Sequence, residues 1–174
     1  MKDIELKLIS ELMKNSRKSD REIAKTIGVS QPTVTRTRTR LEKEGIIKEY
    51  TTIPDFAKLG YQLMAVTLAK LETPATVEVV EKTIQITRQR SPEWPEVIMV
   101  ERVTGMGYNG IVVSFHRDYS SYITFKRWLE EFSYLGFSSI DSVMINLEDK
   151  VHYKSLTFST LAEHILKREK EEKP

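Results

Sequence analysis

The sequence predicts an α+β protein in two parts, a helical part within residues 1–60 and a β-α-β-β-α-β part after them. Two observations lead to this prediction. Apolar residues recur every three to four positions from Asp3 to Glu44, a spacing typical of amphipathic helices. After Gly60, short runs rich in β-branched and aromatic residues alternate with two longer helical runs. A chain of 174 residues is long enough for one medium domain or two small ones.

Composition limits the classes of protein to which the chain can belong. The sequence is 40% hydrophobic and 30% charged, as expected of a globular protein that buries a core. No apolar run approaches the roughly 20 residues that cross a bilayer, and the charged N-terminus does not resemble a signal peptide. We therefore expect no membrane partner and a cytoplasmic location. The chain has no cysteine, which fits a reducing compartment and excludes thiolate nucleophiles and cysteine-bound zinc.

Charge is distributed unevenly along the chain. Residues 1–60 hold 13 Lys and Arg against 9 Asp and Glu, whereas residues 61–174 hold the remaining 14 and 16. The formal net charge of +2 therefore combines a basic first part with a slightly acidic second part. This distribution is expected if only the first part contacts a polyanion such as DNA.

Three helices are predicted in the first part. Asp3–Lys14 places apolar residues every four positions on one side. Ser19 is a good N-cap for a second helix, with a glutamate three residues later at the capping-box spacing. Gly28 ends this helix, because a tight exit often requires a positive φ. Ser30 caps a third helix that runs to about Glu44.

The second and third helices have the spacing of a helix-turn-helix. Ala24 allows a close helix crossing, Gly28 makes the turn and Val34 anchors the third helix on the second. The outward face of the third helix is polar and basic, which suits phosphates and base edges. The alternative, a merely solvated face, is disfavoured because alternating Thr is a mediocre helix former. The predicted contacts to double-stranded DNA are Gln31, Thr33, Thr35, Arg36, Thr39, Arg40, Lys43 and Lys48.

A strand is predicted directly after the third helix. Residues 46–53 are rich in β-branched and aromatic residues, and a strand at this place is the winged variant of the helix-turn-helix. Lys48 would lie where such a wing meets the phosphate backbone, and an ordinary surface lysine is the equally weighted alternative. Pro54 breaks the strand and one helical turn ends at Gly60, so we place the linker at residues 54–60.

The second part has the order β-α-β-β-α-β, the ferredoxin-like plan with two helices on one face of an antiparallel four-stranded sheet. The first of these helices carries Val77, Val80, Ile84 and either Ile86 or Thr87 at helical spacing. Residues 153–158 could add a strand before a charged terminal helix. The expected strands are residues 61–71, 97–103, 111–116 and 139–147, and the expected helices are residues 75–90 and 118–132.

The face of the sheet without helices is predicted to be an interface. It would expose Val66, Leu68, Val112 or their strand neighbours, and apolar area of that size usually marks a contact surface. Two such sheets packed face to face would form an isologous homodimer. We therefore expect a homodimer or a higher even-numbered oligomer.

A set of short motifs accompanies this two-part arrangement. They are Ile23-Ala24, Ile27-Gly28-Val29-Ser30, Val34, Leu41-Glu42, Gly45-Ile46-Ile47, Leu59-Gly60, Pro95-Glu96-Val97 and Val103-Thr104-Gly105. With these motifs the chain resembles the leucine-responsive regulator/AsnC family of transcription regulators, also called feast/famine regulators, over roughly residues 1–150. The resemblance implies a DNA-binding regulator that dimerises through its second domain and often assembles further. Many members bind an amino acid near the hairpin between the second and third strands of that domain.

The resemblance implies an effector site at this hairpin. Three glycines within six residues leave backbone N–H groups bare, and such a run can approach a carboxylate closely. A plain hairpin turn is the equally weighted alternative. Met106 stands where the family often has an acidic residue, which predicts a ligand without a strong cation or a purely structural contact. The candidate effector residues are Thr104, Gly105, Gly107, Tyr108 and Asn109.

No catalytic site, metal or cofactor is predicted, and we expect no enzymatic activity. The three histidines lie far apart, and His116 is expected to be a surface histidine at a strand end. The GMGYNG turn precedes a strand rather than the helix that a phosphate-binding loop requires. Two alternatives stay open. One is a sirohaem decarboxylase-like enzyme with the same two-domain plan. It is disfavoured because residues 98–102 contain no histidine where that family has a His-Asn-Tyr-like segment. The other is a winged-helix protein-interaction module.

The predicted function is that of a sequence-specific DNA-binding transcription regulator with a small-molecule effector as an implied partner. We predict four segments along the chain. They are a winged helix-turn-helix DNA-binding domain at residues 1–53, a linker at 54–60, a ferredoxin-like dimerisation and effector domain at 61–158, and a charged C-terminal helix at 159–174.

Overall fold

A computed structural model describes residues 2–72, 76–90, 93–94, 96–131, 136–151 and 153–171. Contacts within the chain divide it into two units, which we call the first unit (residues 1–54 with 153–174) and the second unit (residues 55–152). The four segments predicted from the sequence stay predictions. In chain order the elements are α1 (Asp3–Lys14), α2 (Asp20–Ile27), α3 (Gln31–Lys43), β1 (Leu63–Leu71), α4 (Val77–Arg90), β2 (Val97–Gly105), β3 (Tyr108–His116), α5 (Tyr119–Glu130), β4 (Phe137–Asn146) and α6 (Ser159–Glu171).

The first three helices have nearly the bounds that the sequence predicts, and local contacts explain their ends. Ser19 Oγ accepts from the backbone N–H of Glu22, and the Glu22 carboxylate accepts from the backbone N–H of Ser19 at 2.8 Å. Gly28 ends α2 with a φ of 74°. Ser30 Oγ accepts from the backbone N–H of Thr33 and so caps α3. These contacts set the turn between α2 and α3.

The three helices close around one apolar core. Val34 and Leu41 of α3 are both 0% exposed, and their spacing of seven residues places them on one side of that helix. Full burial of a Val or Leu side chain contributes about 1.5–3 kcal/mol, so this pair anchors α3 firmly. The buried core residues are Leu8, Leu12, Ile23, Ala24, Val34 and Leu41.

Residues 46–53 do not form the predicted strand. Tyr50 Oη donates to Glu42 at 2.6 Å, and Ser16 Oγ donates to the backbone oxygen of Thr51 at 3.1 Å. The segment is therefore held on the helices through side chains and single backbone groups. A strand needs a neighbour for its backbone hydrogen bonds, and the described part of the first unit contains no second strand to pair with it.

The last helix, α6, packs on α1. Ser10 Oγ donates to the backbone oxygen of Ala162 at 3.0 Å, and both residues are 0% exposed. The sequence predicted a terminal helix here but no contact for it. The two residues are 152 positions apart, so no local pattern links them. Residues 153–158, which could have added a strand, do not form one.

The second unit has the predicted ferredoxin-like strand order, and the predicted α+β fold class is confirmed. Its four strands are antiparallel in the order β2-β3-β1-β4. On one face, Tyr122, Phe125 and Leu129 of α5 pack against Ala65 and Val112 of the sheet. Phe132, which lies in the predicted second helix of this part, is outside the described residues.

Strand register assigns each side chain to a face of the sheet. Thr67 of β1 pairs with Val112 of β3, and both lie on the face that α5 covers. Val112 is 7% exposed, so its predicted place on the helix-free face is wrong. A shift of one residue along a strand moves a side chain to the other face. Val66 and Leu68, one position from Thr67, lie on the helix-free face as predicted.

Helix α4 has the expected position in the chain but not the expected packing. Val77 and Ile84, two of the apolar residues at helical spacing, are 75% and 45% exposed. None of its described side chains is fully buried, although Ile86 contacts the core. Helical spacing identifies which residues share a face, but it does not determine how closely that face meets the sheet.

Residues 54–60, the predicted linker, form hydrogen-bonded turns, and by their contacts most of them belong to the second unit. The backbone N–H of Leu59 lies 3.3 Å from the oxygen of Asp55 and 3.1 Å from that of Phe56. The Phe56 ring stacks on Phe115 with centroids 3.9 Å apart. This aromatic contact holds the segment on the sheet.

Candidate nucleic-acid interface

The exposed side of α3 is the candidate DNA-binding surface. Its side chains Gln31, Arg36, Thr39 and Lys43 are exposed, and within the described residues none of them makes a side-chain hydrogen bond or an ion pair. These side chains point away from the buried side of α3, and the buried side anchors the helix on its neighbours. Unpaired amide, hydroxyl and cationic groups of this kind can bind phosphates and base edges.

Asp20, at the start of α2, ties α3 to α2. Thr35 Oγ1 donates to Asp20 Oδ2 at 2.6 Å, and Arg38 Nε lies 2.7 Å from Asp20 Oδ1. Arg38 Nη2 also donates to the backbone oxygen of Lys18 at 3.3 Å. Thr35 therefore donates its only hydroxyl proton within the protein. Toward DNA, its Oγ1 can act only as a hydrogen-bond acceptor.

Arg40, another predicted DNA contact, is paired within the protein. Its Nη2 lies 2.5 Å from Glu5 Oε1 of α1, and its Nη1 lies 3.5 Å from Glu44 Oε1. The Glu5 side chain is 6% exposed and the Arg40 side chain 44%. The N–H of Lys2 and then the Arg40 guanidinium hold the pKa of Glu5 below its ordinary value, and Glu5 raises the pKa of Arg40. Arg40 therefore joins α3 to α1.

The other two predicted contacts differ in their surroundings. Thr33 is half-buried at the start of α3, where its Oγ1 lies 2.8 Å from Ser30 Oγ. Lys48 is exposed and has no ion pair within the described residues. Because residues 46–53 form no strand, Lys48 is not on a β-wing.

Helix α2 adds two basic residues that the sequence analysis did not single out. Arg21 and Lys25 are exposed, and neither has an ion pair in the part of the chain that the structure describes. In helix-turn-helix proteins the first helix of the motif crosses the phosphate backbone. The spacing of four residues between two cations on the outward side of α2 was the signal available in the sequence.

The candidate effector residues lie at the hairpin between β2 and β3. Met106 and Gly107 form its two-residue turn with φ angles of 52° and 80°, as a type I′ turn requires. Tyr108 Oη donates to Asp141 Oδ2 at 3.0 Å, and this carboxylate raises the pKa of Tyr108. Asn109 Oδ1 accepts from the backbone N–H of Leu71 at 2.9 Å. Two of the five predicted residues are thus already used in contacts between strands.

Residues 1–48 match the family of winged helix-turn-helix DNA-binding domains. The HTH-type transcriptional regulator LrpC of Bacillus subtilis is 42% identical over 69 residues, which are 40% of this chain and 48% of LrpC. The chain thus spans about half the length of this curated relative.

Solved structures extend the similarity to both units. The B. subtilis LrpC structure has a TM-score of 0.62 at 25% identity and covers 88% of this chain and 99% of its own. An AsnC family transcriptional regulator from Agrobacterium tumefaciens has a TM-score of 0.69 at 17% identity, covering 92% and 99%. The chain is therefore similar to Lrp/AsnC transcription regulators, in sequence over part of its length and in fold over both units. A regulator of similar fold, NMB0573 from Neisseria meningitidis in complex with L-Met, has a TM-score of 0.67 at 20% identity and covers 92% and 99%.

His116, which the sequence analysis expects on the surface, is buried in the structure. The residue is 2% exposed rather than on the surface, and its Nε2 lies 2.8 Å from Ser114 Oγ. Burial lowers the pKa of His116, and Tyr122 and Phe125 pack against its ring. Ser114 is itself 0% exposed, so this pair offers no access to a substrate.

The described residues contain neither a metal-binding cluster nor a membrane-spanning helix. Within them, no group of three or more His, Asp or Glu side chains is placed to hold a metal ion. No helix among them has the length and apolar character to cross a membrane.

Proposed function

We propose that the protein is a sequence-specific DNA-binding transcription regulator. The observation that carries the proposal is the exposed side of α3, where Arg36 and Lys43 have no ion pair among the described residues while Val34 and Leu41 hold the helix from behind. The match to winged helix-turn-helix DNA-binding domains and the regulator names of the relatives support it.

In this proposal α3 enters the major groove, and its first half meets the bases. Gln31 has the amide that can bind adenine, and Arg36 can make two hydrogen bonds to guanine. Lys43, Arg21 and Lys25 bind phosphates on either side, which sets the register of the protein on the duplex. Arg40 keeps its ion pair with Glu5 and supports DNA binding by holding α3 in position against α1.

The test is a selection of binding sites from random double-stranded DNA, followed by gel-shift titrations on the strongest site at several salt concentrations. Arg36→Ala is expected to cost about 1–3 kcal/mol and to relax preference at one base. Lys43→Ala is expected to weaken all sequences alike and to lower the salt slope by about 1. Arg117→Ala, an exposed arginine of the second unit, is the matched control. Unchanged affinity in an Arg36→Ala, Lys43→Ala double variant contradicts the proposal.

We also propose that a second copy docks on the helix-free face of the sheet. Val143 and Ile145 of β4 are 63% and 43% exposed there, beside the half-buried Val66 and Leu68. An isologous dimer would hold its two copies of α3 about 34–36 Å apart, which is one turn of DNA, or at a multiple of that distance. Light scattering should give at least twice 20.2 kDa. Val143→Asp should produce monomers, whereas Val151→Asp, at an exposed valine outside the strands, should not.

For the effector we propose a site at the hairpin, with Thr104, Gly105, Gly107, Tyr108 and Asn109 as its residues. The amino-acid complex of a protein of similar fold supports the ligand class. A thermal-shift screen of amino acids is the test, because a ligand at 100 times its Kd adds about 2.7 kcal/mol per site. Gly107→Asp should abolish the shift, and an equal shift in that variant would place the ligand elsewhere.

The two alternatives are not favoured, since the relatives are named as transcription regulators. A haem absorbance band in the purified protein would revive the sirohaem decarboxylase-like enzyme. Salt-insensitive binding to a protein, without any DNA shift, would favour the interaction module. The absence of enzymatic activity and the cytoplasmic location stay predictions.

A further inference from the structure

A cavity of about 540 Å³ lies inside the second unit, bounded by α4, α5 and the face of the sheet that they cover. Val79 and Val80 of α4 line one side, and Phe125 and Leu129 of α5 line another. Small-molecule sites in proteins have volumes of about 300–1,000 Å³ and mostly apolar walls. The cavity is therefore of a size and character suited to a ligand.

The cavity exists because the sheet has small residues at this place. Ala69 of β1 pairs with Gly110 of β3, and Gly110 pairs with Arg102 of β2, so these three residues form one row across the sheet. A Cβ added at Gly110 would lie 3.8 Å from the Ala69 Cβ, so neither position supplies bulk. The half-buried valines of α4 do not fill the remaining space.

Three arginines line the cavity, and one of them, Arg90, is paired with Glu93. Arg88 of α4 and Arg102 of β2 both line it, and within the described residues neither has an ion pair or a side-chain hydrogen bond. Among the described residues that line the cavity, Glu101 is the one carboxylate. Its register partner is Ile111, which puts Glu101 on the opposite face of the sheet from Arg102. Arg88 and Arg102 are both exposed, and no described lining carboxylate shares the face of Arg102, so the two guanidinium groups can pair with an anion that enters the cavity.

We propose that this cavity binds a carboxylate with an apolar body. A guanidinium binds a carboxylate through two parallel hydrogen bonds, whereas the apolar walls favour a hydrocarbon chain or ring. Since a water molecule occupies about 30 Å³ in the liquid, the cavity has room for roughly 18 waters or for a similar number of ligand atoms. An acid of about ten to fourteen non-hydrogen atoms fits with margin. The site does not depend on DNA binding.

This site differs from the proposed effector site at the hairpin. Asn109 touches both, but Thr104, Gly105, Gly107 and Tyr108 do not line the cavity. Bound acid would fill the gap beneath α4 and hold that helix on the sheet. The expected consequence is protection of the backbone amides of α4 from hydrogen exchange.

The test uses three probes with the same ten-carbon chain and different head groups: decanoate, decanol and decylammonium, each below its micelle concentration. Calorimetric titration of the full chain should give one saturable decanoate site per chain. Decanol should bind at least about tenfold more weakly, because it lacks the ion pair, and decylammonium should not bind. Equal binding of decanoate and decanol would overturn the proposal.

Variants locate the site. Ala69→Leu should narrow the cavity and weaken decanoate binding while raising the melting temperature of the free protein or leaving it unchanged. Arg102→Gln should weaken decanoate about tenfold and leave decanol unaffected, and Arg117→Gln is the matched control outside the cavity. Gly110→Ala, whose added Cβ makes only an ordinary contact, narrows the cavity less and should weaken decanoate less. Unchanged decanoate affinity in Arg102→Gln, or in Ala69→Leu when that variant folds, refutes the site.

Discussion

Helices α3 and α4 are of similar length, 13 and 14 residues, and both carry exposed arginines, yet they are packed in opposite ways. Val34 and Leu41 of α3 are 0% exposed, whereas α4 has no fully buried side chain among its described residues. Base readout requires a helix held within a fraction of an ångström, and α3 has the anchors for it. A loosely packed helix instead leaves volume beneath it, and that volume suits a small ligand.

The difference arises from what each helix meets. In the first unit, Leu8 and Ile23 face α3 with large side chains that fill the space between helices. In the second unit, the row beneath α4 contains Ala69 and Gly110. Apolar spacing is similar in the two helices, so the partner surface decides the packing.

The largest expected effect is in the core beneath α3. Leu41→Ala should lower the free energy of unfolding by about 2–5 kcal/mol, because it removes a fully buried side chain and leaves a cavity. Ile84→Ala, the matched change in α4, should stay within about 0.5 kcal/mol because that side chain is 45% exposed. Urea denaturation measures the free energy of unfolding of both variants. Equal decreases in the two variants would contradict the proposed difference in packing between α3 and α4.

The next effect concerns the contact between α2 and α3. Asp20→Ala should cost about 1–3 kcal/mol, because Arg38 and Thr35 lose their acceptor. Glu130→Ala is the control, since its 3.9 Å pair with Lys126 on α5 is largely exposed and is worth less than about 0.5 kcal/mol. A double-mutant cycle of Asp20 with Arg38 should give a clear coupling energy. Additive losses would show that the pair does not lock the helices.

A third effect depends on pH and belongs to the second unit. Burial lowers the pKa of His116, so the unfolded chain binds its proton more readily than the folded one. The contribution of His116 to the free energy of unfolding is fully present above about pH 6.5. It decreases by at most about 1.4 kcal/mol per pH unit as the pH falls towards the pKa of His116 in the folded protein. Glu5 and Glu11, whose pKa values are lowered by their partners, affect stability only at lower pH. His116→Gln should flatten the profile between pH 5 and 7, and an unchanged slope would contradict this assignment.

The smallest effect tests the turns. The turn between α2 and α3 has glycine at its left-handed position, Gly28, whereas the hairpin has Met106 at a φ of 52°. Met106→Asn creates the Asn-Gly pair that type I′ turns prefer and should stabilise the protein by about 0.5–1 kcal/mol. Thermal unfolding measures the gain. Met106→Val, with a β-branched side chain, should have the opposite sign, and the same sign for both would exclude backbone strain as the cause.

Local sequence patterns predicted the helices of the first unit well and its contacts poorly. Ser19, Gly28 and Ser30 act on backbone groups a few residues away, so their roles could be read directly. Arg40 was predicted to contact DNA because of its place on α3, but its partner Glu5 lies 35 residues away. Periodicity identifies a helix face without showing which groups across the fold already occupy it.

By itself, the sequence determined the order of the helices and of the four sheet strands of the α+β fold, together with the polar, basic side of α3. Caps, glycines and apolar periodicity act over a few residues, so their effects can be predicted without the rest of the fold. Only the tertiary structure decided that residues 46–53 lack a partner strand, that α6 packs on α1 and that space remains beneath α4. Each of these depends on which surfaces meet across long separations, where side-chain volume and pairing outweigh local propensity.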